Sequence, residues 1–590
     1  MDKLKKIIIQ TEKNNSFLEQ TFKKLKLFIH PTFIQNNTVQ ACSFTQTPQK
    51  LNSNSTAVNQ YFKNTIQQNK NQVLQGNTKS TLIKGKKIAV LFSGGPAAGG
   101  HNVLVGIKLA LGENNTLYGI KNGPKGFLNG ELFEITSQKL THILNLGGFD
   151  FLGSDRTKIK TPEQFNKVKK IVLQYQLDGL IIIGGDDSNT NAAILAEYLF
   201  DLKCAVIGVP KTIDGDLQVN HLLPITFGFD TATKIYAELT GNILQDTPSS
   251  HKYWHFIKVM GRSASHVALE VALQTKPPIT LISEEIAQKK MSLNDIITYI
   301  LKIILKRYFK GLHHGLVLVP EGLIEFIPEF QILIQELNNT LAQQEKELAQ
   351  INLFSEKKEL IISKINEKSA KLFSSLPQNI QEKLLLNRDS HGNLQVSQID
   401  TEQLLIEMLK RKIQSLKNDP QKLLYALNIN ANQDDIEKIH KFKFATNHHF
   451  FGYEGRCGAP STFDAAYTVN LGLTAGSLAL EHHTGYLASI TNLDQNSQII
   501  AIPLSGLITL EKRSGKNEMV IQKALVDLKS PAFEFFSERR SHWAETDCFS
   551  SPGPRQYFGP TANQLPFTVA LNQGYSNTQF DLGIETDISL

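Results

Sequence analysis

Short apolar runs ending in glycine recur through the first half of the chain. Lys87-Ile88-Ala89-Val90-Leu91-Phe92 leads into Ser93-Gly94-Gly95. Leu177-Asp178-Gly179-Leu180-Ile181-Ile182-Ile183 leads into Gly184-Gly185-Asp186-Asp187, and Ala205-Val206-Ile207-Gly208-Val209-Pro210 into Lys211-Thr212-Ile213-Asp214-Gly215-Asp216. Each reads as a buried strand entering a turn. Pro162–Tyr175 and Asn189–Phe200, between them, carry helical spacing. Short apolar strands alternating with helices predict an α/β fold with a parallel sheet covered on both faces.

A second series follows. Trp254–Met260, Pro278–Ile282 and Gly315–Val319 read as strands and Leu293–Phe309 as a helix, which predicts a second α/β lobe. From 326 to 445 the texture changes. Phe330, Leu333, Leu337, Leu341 and Leu348 recur at helical spacing among Gln, Glu and Lys, as do Leu404, Leu405, Met408 and Leu409. This predicts helical hairpins inserted in the second lobe and packed on it. The expected division is an N-terminal extension at 1–82, with a helix near Phe17–Phe28, and a first lobe at 83–240. A second lobe takes 241–325 and 446–510, interrupted by the insertion at 326–445, and an irregular C-terminal extension covers 511–590.

Composition narrows the class. At roughly 100–200 residues per domain, 590 residues allow several domains and a large core without disulfide or metal staples. Lys+Arg 62 against Asp+Glu 55 is a mild excess, +7, which does not argue for nucleic acid and suits an anionic small substrate. Cys42, Cys204, Cys457 and Cys548 form no CxxC pair, which excludes a disulfide framework and gives no zinc spacing. No apolar run is long enough to cross a membrane, and the charged start is a poor leader peptide, so the expectation is a cytoplasmic protein.

The chemistry-bearing residues follow the strands. The glycine turn at Gly94-Gly95 suits either an anion approached by backbone N–H groups or a tight structural turn. Asp186 and Asp187 stand where open α/β sheets bind ligands. A carboxylate there can hold Mg²⁺, or it can cap the following helix. Lys211, Thr212, Asp214 and Asp216 share the next loop, where one carboxylate could take a hydroxyl proton while the other binds metal or substrate. An Asx turn at Asp214-Gly215 accounts for part of that pattern. Arg262 in Met260-Gly261-Arg262 and Arg456 in Tyr453-Glu454-Gly455-Arg456 can each grip a phosphate.

Taken together, these motifs are recognisable. Thr212-Ile213-Asp214-Gly215-Asp216, with Met260-Gly261-Arg262-Ser263-Ala264-Ser265-His266 downstream, resembles the phosphofructokinase family in its long, pyrophosphate-dependent form. The resemblance covers about 86–323 and 446–575, and Pro552-Gly553-Pro554 near Gly559-Pro560 resembles that form's tail. It implies two Rossmann-like three-layer α/β/α lobes of the phosphofructokinase type with a helical insertion. It also implies Mg²⁺-dependent, reversible phosphoryl transfer from pyrophosphate to fructose 6-phosphate.

By the same resemblance Gly95 binds the donor phosphates, Asp186 associates with Mg²⁺, and Asp214 is the general base for the sugar 1-hydroxyl. Thr212, Ile213 and Asp216 share the base's loop. Met260, Gly261, Arg262 and Glu321 contact the sugar, while Tyr453, Glu454, Gly455 and Arg456 take its 6-phosphate. Arg156 contacts the transferred group. Lys252 and Tyr253 reach into a partner subunit's site, which implies a homodimer. ATP-using relatives have Gly where this chain has Asp187 and Lys211. Asp187 would repel a nucleotide α-phosphate, and Lys211 would neutralise a departing phosphate. Pro96, where relatives more often carry a polar residue, removes one N–H from the glycine loop. The rival readings are an ATP-dependent phosphofructokinase, which Asp187 and Lys211 oppose, and a noncatalytic regulatory subunit, which an intact Asp214 opposes.

Overall fold

A computed structural model describes residue 9 and residues 17–53, 55–79, 83–348, 350–386, 399–430, 432–513, 516–553 and 563–586. The Gly559-Pro560 end of the tail motif lies outside the described residues. The chain forms two compact units. One comprises Met1–Ile235, Tyr453–Ala524 and Arg555–Leu590, the other Tyr236–Gly452 and Leu525–Pro554.

The first unit is built on a ten-stranded sheet. Its centre is parallel, in the order Tyr486–Thr491, Ala205–Pro210, Gly179–Gly184, Lys87–Ser93, Thr116–Ile120. Leu180, Ile181, Ile183, Val206 and Val209 are wholly buried, as expected of strands covered on both faces. Helices begin where the sequence signals them. Thr161 and Gln164 form a capping box at the start of Pro162–Tyr175.

Three expectations are corrected. Residues 453–503 do not join the second lobe: Tyr486–Thr491 and Gln498–Pro503 extend the first sheet. Helix Thr462–Leu480 lies against Gly100–Leu111 at near backbone contact, because Gly106 and Gly472 bring no side chain between them; a Cβ on Gly106 would stand 2.0 Å from the Val469 carbonyl oxygen. Of the later segment, only strand Ala445–Phe451 belongs to the second unit's sheet. The helix near Phe17–Phe28 stops at Phe22, and Leu27–Ile29 is a strand paired with Ile584–Thr586. The rest of the extension adds strands Ser43–Lys50 and Gln72–Asn77 to the sheet edge. Nor is the C-terminal region irregular throughout: it holds the hairpin Ile508–Arg513/Lys516–Ile521 and helices Pro531–Glu545 and Phe567–Gln573.

The second unit has a parallel sheet ordered Ile279–Thr280, Gly315–Pro320, Tyr253–Val259, Ala445–Phe451. The expected insertion is helical, from Pro328–Gln343 to Gln433–Lys441. It shares one core with the sheet, in which Trp254, Phe256, Ile300, Leu333, Leu384 and Leu409 are buried together. Fully buried Arg307 pins helix Pro531–Glu545 to this core. It pairs with Asp547 at 2.6 Å and donates to the carbonyls of His314, Ala544 and Thr546. A buried guanidinium is tolerable because its donors are so fully used.

Substituting Gly106 by Ala should force the Gly100–Leu111 and Thr462–Leu480 helices apart and destabilise the first unit by about 1–3 kcal/mol, the usual cost of overpacking. A denaturant midpoint equal to wild type would contradict the close helix contact.

Candidate active site

Register places the chemistry. Ile183 pairs with Phe92 on one side, and Gly184 with Pro210 on the other. The turns at Ser93, Gly185 and Lys211 therefore emerge side by side from the carboxyl edge of the sheet, where such folds bind ligands. Ser188 donates to Ser93 at 2.8 Å, and the Lys211 N–H donates to the Gly184 carbonyl at 2.9 Å, tying the three turns together. Gly94 turns with φ +87°, its N–H on the Asp155 carbonyl. At Gly95 a Cβ would stand 2.8 Å from an Arg456 nitrogen, so the guanidinium comes close to the glycine turn.

The turns enclose a cavity of about 240 Å³. Arg156, Lys158, Lys211, Arg456 and Lys523 line it with Asp186, Asp187, Asp214 and Asp216. Thr212 hydrogen-bonds Asp216 at 3.1 Å and accepts the Asp214 N–H at 3.1 Å, which fixes the loop carrying Asp214. Lys523 pairs with Asp216 at 2.9 Å and stands 3.9 Å from Asp186. At the more exposed mouth, Lys158 approaches Asp187 to 3.5 Å. Arg456 donates to the Pro96 carbonyl at 3.3 Å, so the proline that lacks a donor N–H still anchors the arginine.

Burial and charge perturb the ionisable groups. Lys211 is only 6% exposed. Loss of water, then the Arg456 charge, pulls its pKa down to about 8 against the opposing pull of Asp214. Loss of water raises Asp214, and the Asp216 charge adds to that, opposed by Arg456, Lys523 and Lys211. Asp186 is raised by burial despite Lys523. Burial works against the charge of Lys523, but Asp216 and then Asp186 outweigh it and its pKa rises. A poised carboxylate beside a desolvated ammonium is the pattern of a catalytic site.

Of the residues expected from sequence, Gly95, Asp186, Asp187, Lys211, Thr212, Ile213, Asp214, Asp216 and Arg456 line this one cavity, together with Arg156. The residues of Tyr453-Glu454-Gly455-Arg456 take different surroundings. Arg456 turns to the glycine loop, while Tyr453 is 78% exposed. In the second unit the expected sugar residues meet one another. The Gly261 N–H donates to Glu321 at 3.3 Å, and a Cβ on Gly322 would stand 1.8 Å from the Arg262 carbonyl oxygen. Lys252 is exposed and lies over the Tyr253 ring at 4.9 Å. Sequence reasoning missed Lys158 and Lys523. Neither sits in a motif, and Lys523 follows a hairpin in a region read as irregular.

The carboxylates are hard oxygen donors. Among the described residues no group of three or more His, Cys, Asp or Glu could hold a metal ion. Hard oxygen donors of this kind suit an ion such as Mg²⁺, which one or two carboxylates hold together with phosphate oxygens and water.

A family model for phosphofructokinase matches residues 87–381. The chain is 45% identical to the pyrophosphate–fructose 6-phosphate 1-phosphotransferase of Entamoeba histolytica, over 82% of this chain and 86% of that one. It is 45% identical to the enzyme of the same name from Treponema pallidum, over 81% and 82% of the two chains. To subunit beta 2 of the Arabidopsis thaliana enzyme it is 44% identical, over 83% and 82%.

The Lys211 ammonium should titrate near pH 8, against about 10.4 for an ordinary lysine, when followed by NMR of ¹³Cε-labelled lysine. Because Asp214 holds this pKa up, Asp214→Asn should lower it further. A wild-type midpoint in the ordinary range would contradict the desolvated site.

Proposed function

The chain belongs to the phosphofructokinase family, and we propose that it transfers a phosphoryl group reversibly from pyrophosphate to the 1-hydroxyl of fructose 6-phosphate, giving fructose 1,6-bisphosphate and phosphate. The observation that carries this reading is the set of charged side chains gathered in the cavity. Arg156, Lys158, Lys211, Arg456 and Lys523 suit a polyanionic donor, and the four aspartates among them suit a metal ion and a proton acceptor.

In this reading Gly95, Arg156 and Arg456 cradle the donor. Asp214 takes the proton of the sugar hydroxyl as it attacks, and burial, which raises its pKa, makes it a stronger base than an ordinary aspartate. Lys211 compensates the charge that develops on the departing phosphate. With so little water around it, that compensation needs no reorganisation during the reaction. Asp186 would hold Mg²⁺, which supplies charge neutralisation on the phosphate oxygens when bound. Asp187 lies at the mouth beside Lys158, and its carboxylate would disfavour the further phosphate of a nucleotide donor. Met260, Gly261, Arg262 and Glu321 bind the sugar phosphate. A homodimer is part of the proposal, supported by the exposed Lys252 and the half-buried Tyr253 beside it. So is a cytoplasmic location, supported by four free cysteines.

Asp214→Ala should lower kcat by about 10²–10⁴, the usual worth of a general base, with an unchanged melting curve. Near-normal kcat in the folded variant would remove Asp214 from this role.

Asp187→Gly should admit weak ATP use, and the double variant with Lys211→Gly more. Loss of Lys211 should cost on the order of 10²–10³ in kcat with pyrophosphate. The measurement is kcat/KM for both donors across wild type, the two single variants and the double. If no variant uses ATP, and pyrophosphate turnover survives Lys211→Gly, the donor assignment fails.

A further inference from the structure

Lys523 has no counterpart among the residues expected from sequence, yet its ammonium stands between the two acidic loops of the cavity, 2.9 Å from Asp216 and 3.9 Å from Asp186. Its surroundings show a built arrangement. The Ala524 N–H donates to the Asp216 carbonyl at 2.7 Å, so backbone and side chain of one short segment grip the same residue. Three residues earlier, the Ile521 N–H donates to the Thr190 hydroxyl at 3.1 Å, and that hydroxyl donates to the Asp186 carbonyl at 2.9 Å. Segment 521–524 is thus stapled to the helix that begins at Asp186 and to the loop that carries Asp214.

We propose that Lys523 is a positioning residue of the phosphoryl transfer: its ammonium is the resident counter-cation of Asp186 and Asp216, and its segment sets the spacing of the two acidic loops. This rests on the reading of the cavity as the donor site. Two consequences follow from charge and geometry. With Lys523 in place, one positive charge already occupies the space between Asp186 and Asp216, and the cluster is a weak site for a free divalent cation. Without it, Asp186 and Asp216 lose the cation they share, and a divalent cation binds between them more readily. The second consequence runs through Asp216. Its side chain bonds Thr212, and Thr212 holds the Asp214 N–H. Releasing Asp216 from Lys523 loosens the base's loop, and small misplacements of a reacting group are costly in rate.

The test uses the full chain with Lys523→Met, Lys523→Gln and Lys523→Arg. Mn²⁺ binding to the protein without substrates is read by electron paramagnetic resonance of the free ion, alongside kcat with pyrophosphate and thermal melting. The neutral variants should bind Mn²⁺ at least about tenfold more tightly than wild type and lose about 10- to 100-fold in kcat. Lys523→Arg, which keeps the charge, should restore both towards wild type. Unchanged Mn²⁺ affinity in a folded neutral variant overturns the counter-cation role, and unchanged kcat overturns the positioning role. If neither neutral variant folds, Lys523 is a structural prop and the proposal falls. A wild-type chain that does not turn over pyrophosphate would defeat the functional reading instead, and the Mn²⁺ comparison would still decide the charge role of Lys523.

Discussion

A lysine ammonium with almost no water of its own, held over a glycine turn beside a carboxylate, is the constraint on which the site depends. Lys211 is 6% exposed, and a Cβ on Gly94 would stand 3.4 Å from its Nζ. Keeping it charged requires Asp214 and Asp186 nearby, and those carboxylates lose water in turn. Carboxylates packed this closely need further cations, which Arg456 and Lys523 supply. Opposite charges are thereby kept close in one network, in which Lys523 and Asp216 form a direct pair. An incoming polyanion meets donors that are already oriented, which is the condition under which electrostatic stabilisation is strongest.

The sheet makes this affordable in structural terms. Parallel strands whose ends are in register deliver three turns to one place, and buried strands on both sides keep the turns from moving apart. Closely packed helices Gly100–Leu111 and Thr462–Leu480 cover one face of that sheet. A buried carboxylate network lies under the glycine loop. Asp464 accepts from the N–H groups of Gly228 and Thr231, and burial, then Asp230, pushes its pKa up to about 7.

Strand ends and loop chemistry were legible in the sequence because they are local: an apolar run, a glycine turn and a carboxylate fall within a few residues. The insertion's helices were legible from spacing alone. Membership of a sheet was not. Tyr486–Thr491 looks the same whether it pairs with Ala205–Pro210 or with a strand of the other unit, and only the close helix contact at Gly106 and Gly472 shows which core it completes. Phe28 has a helical neighbourhood, yet it pairs as a strand with residues near the other end of the chain. Arg456 is a motif residue, but the direction of its side chain, onto the Pro96 carbonyl of a loop remote in sequence, is not written in the motif. Lys523 left no signal at all, because its partner Asp216 is remote in sequence and the hairpin that delivers it has ordinary composition.

The claim that the cavity is a pyrophosphate site is tested most directly by ³¹P NMR of the purified chain with fructose 6-phosphate, Mg²⁺ and either pyrophosphate or ATP. The account predicts that the 1-phosphate resonance of fructose 1,6-bisphosphate grows, with equimolar inorganic phosphate, when pyrophosphate is the donor, and does not grow with ATP. Growth of the same resonance with ATP and none with pyrophosphate would contradict it.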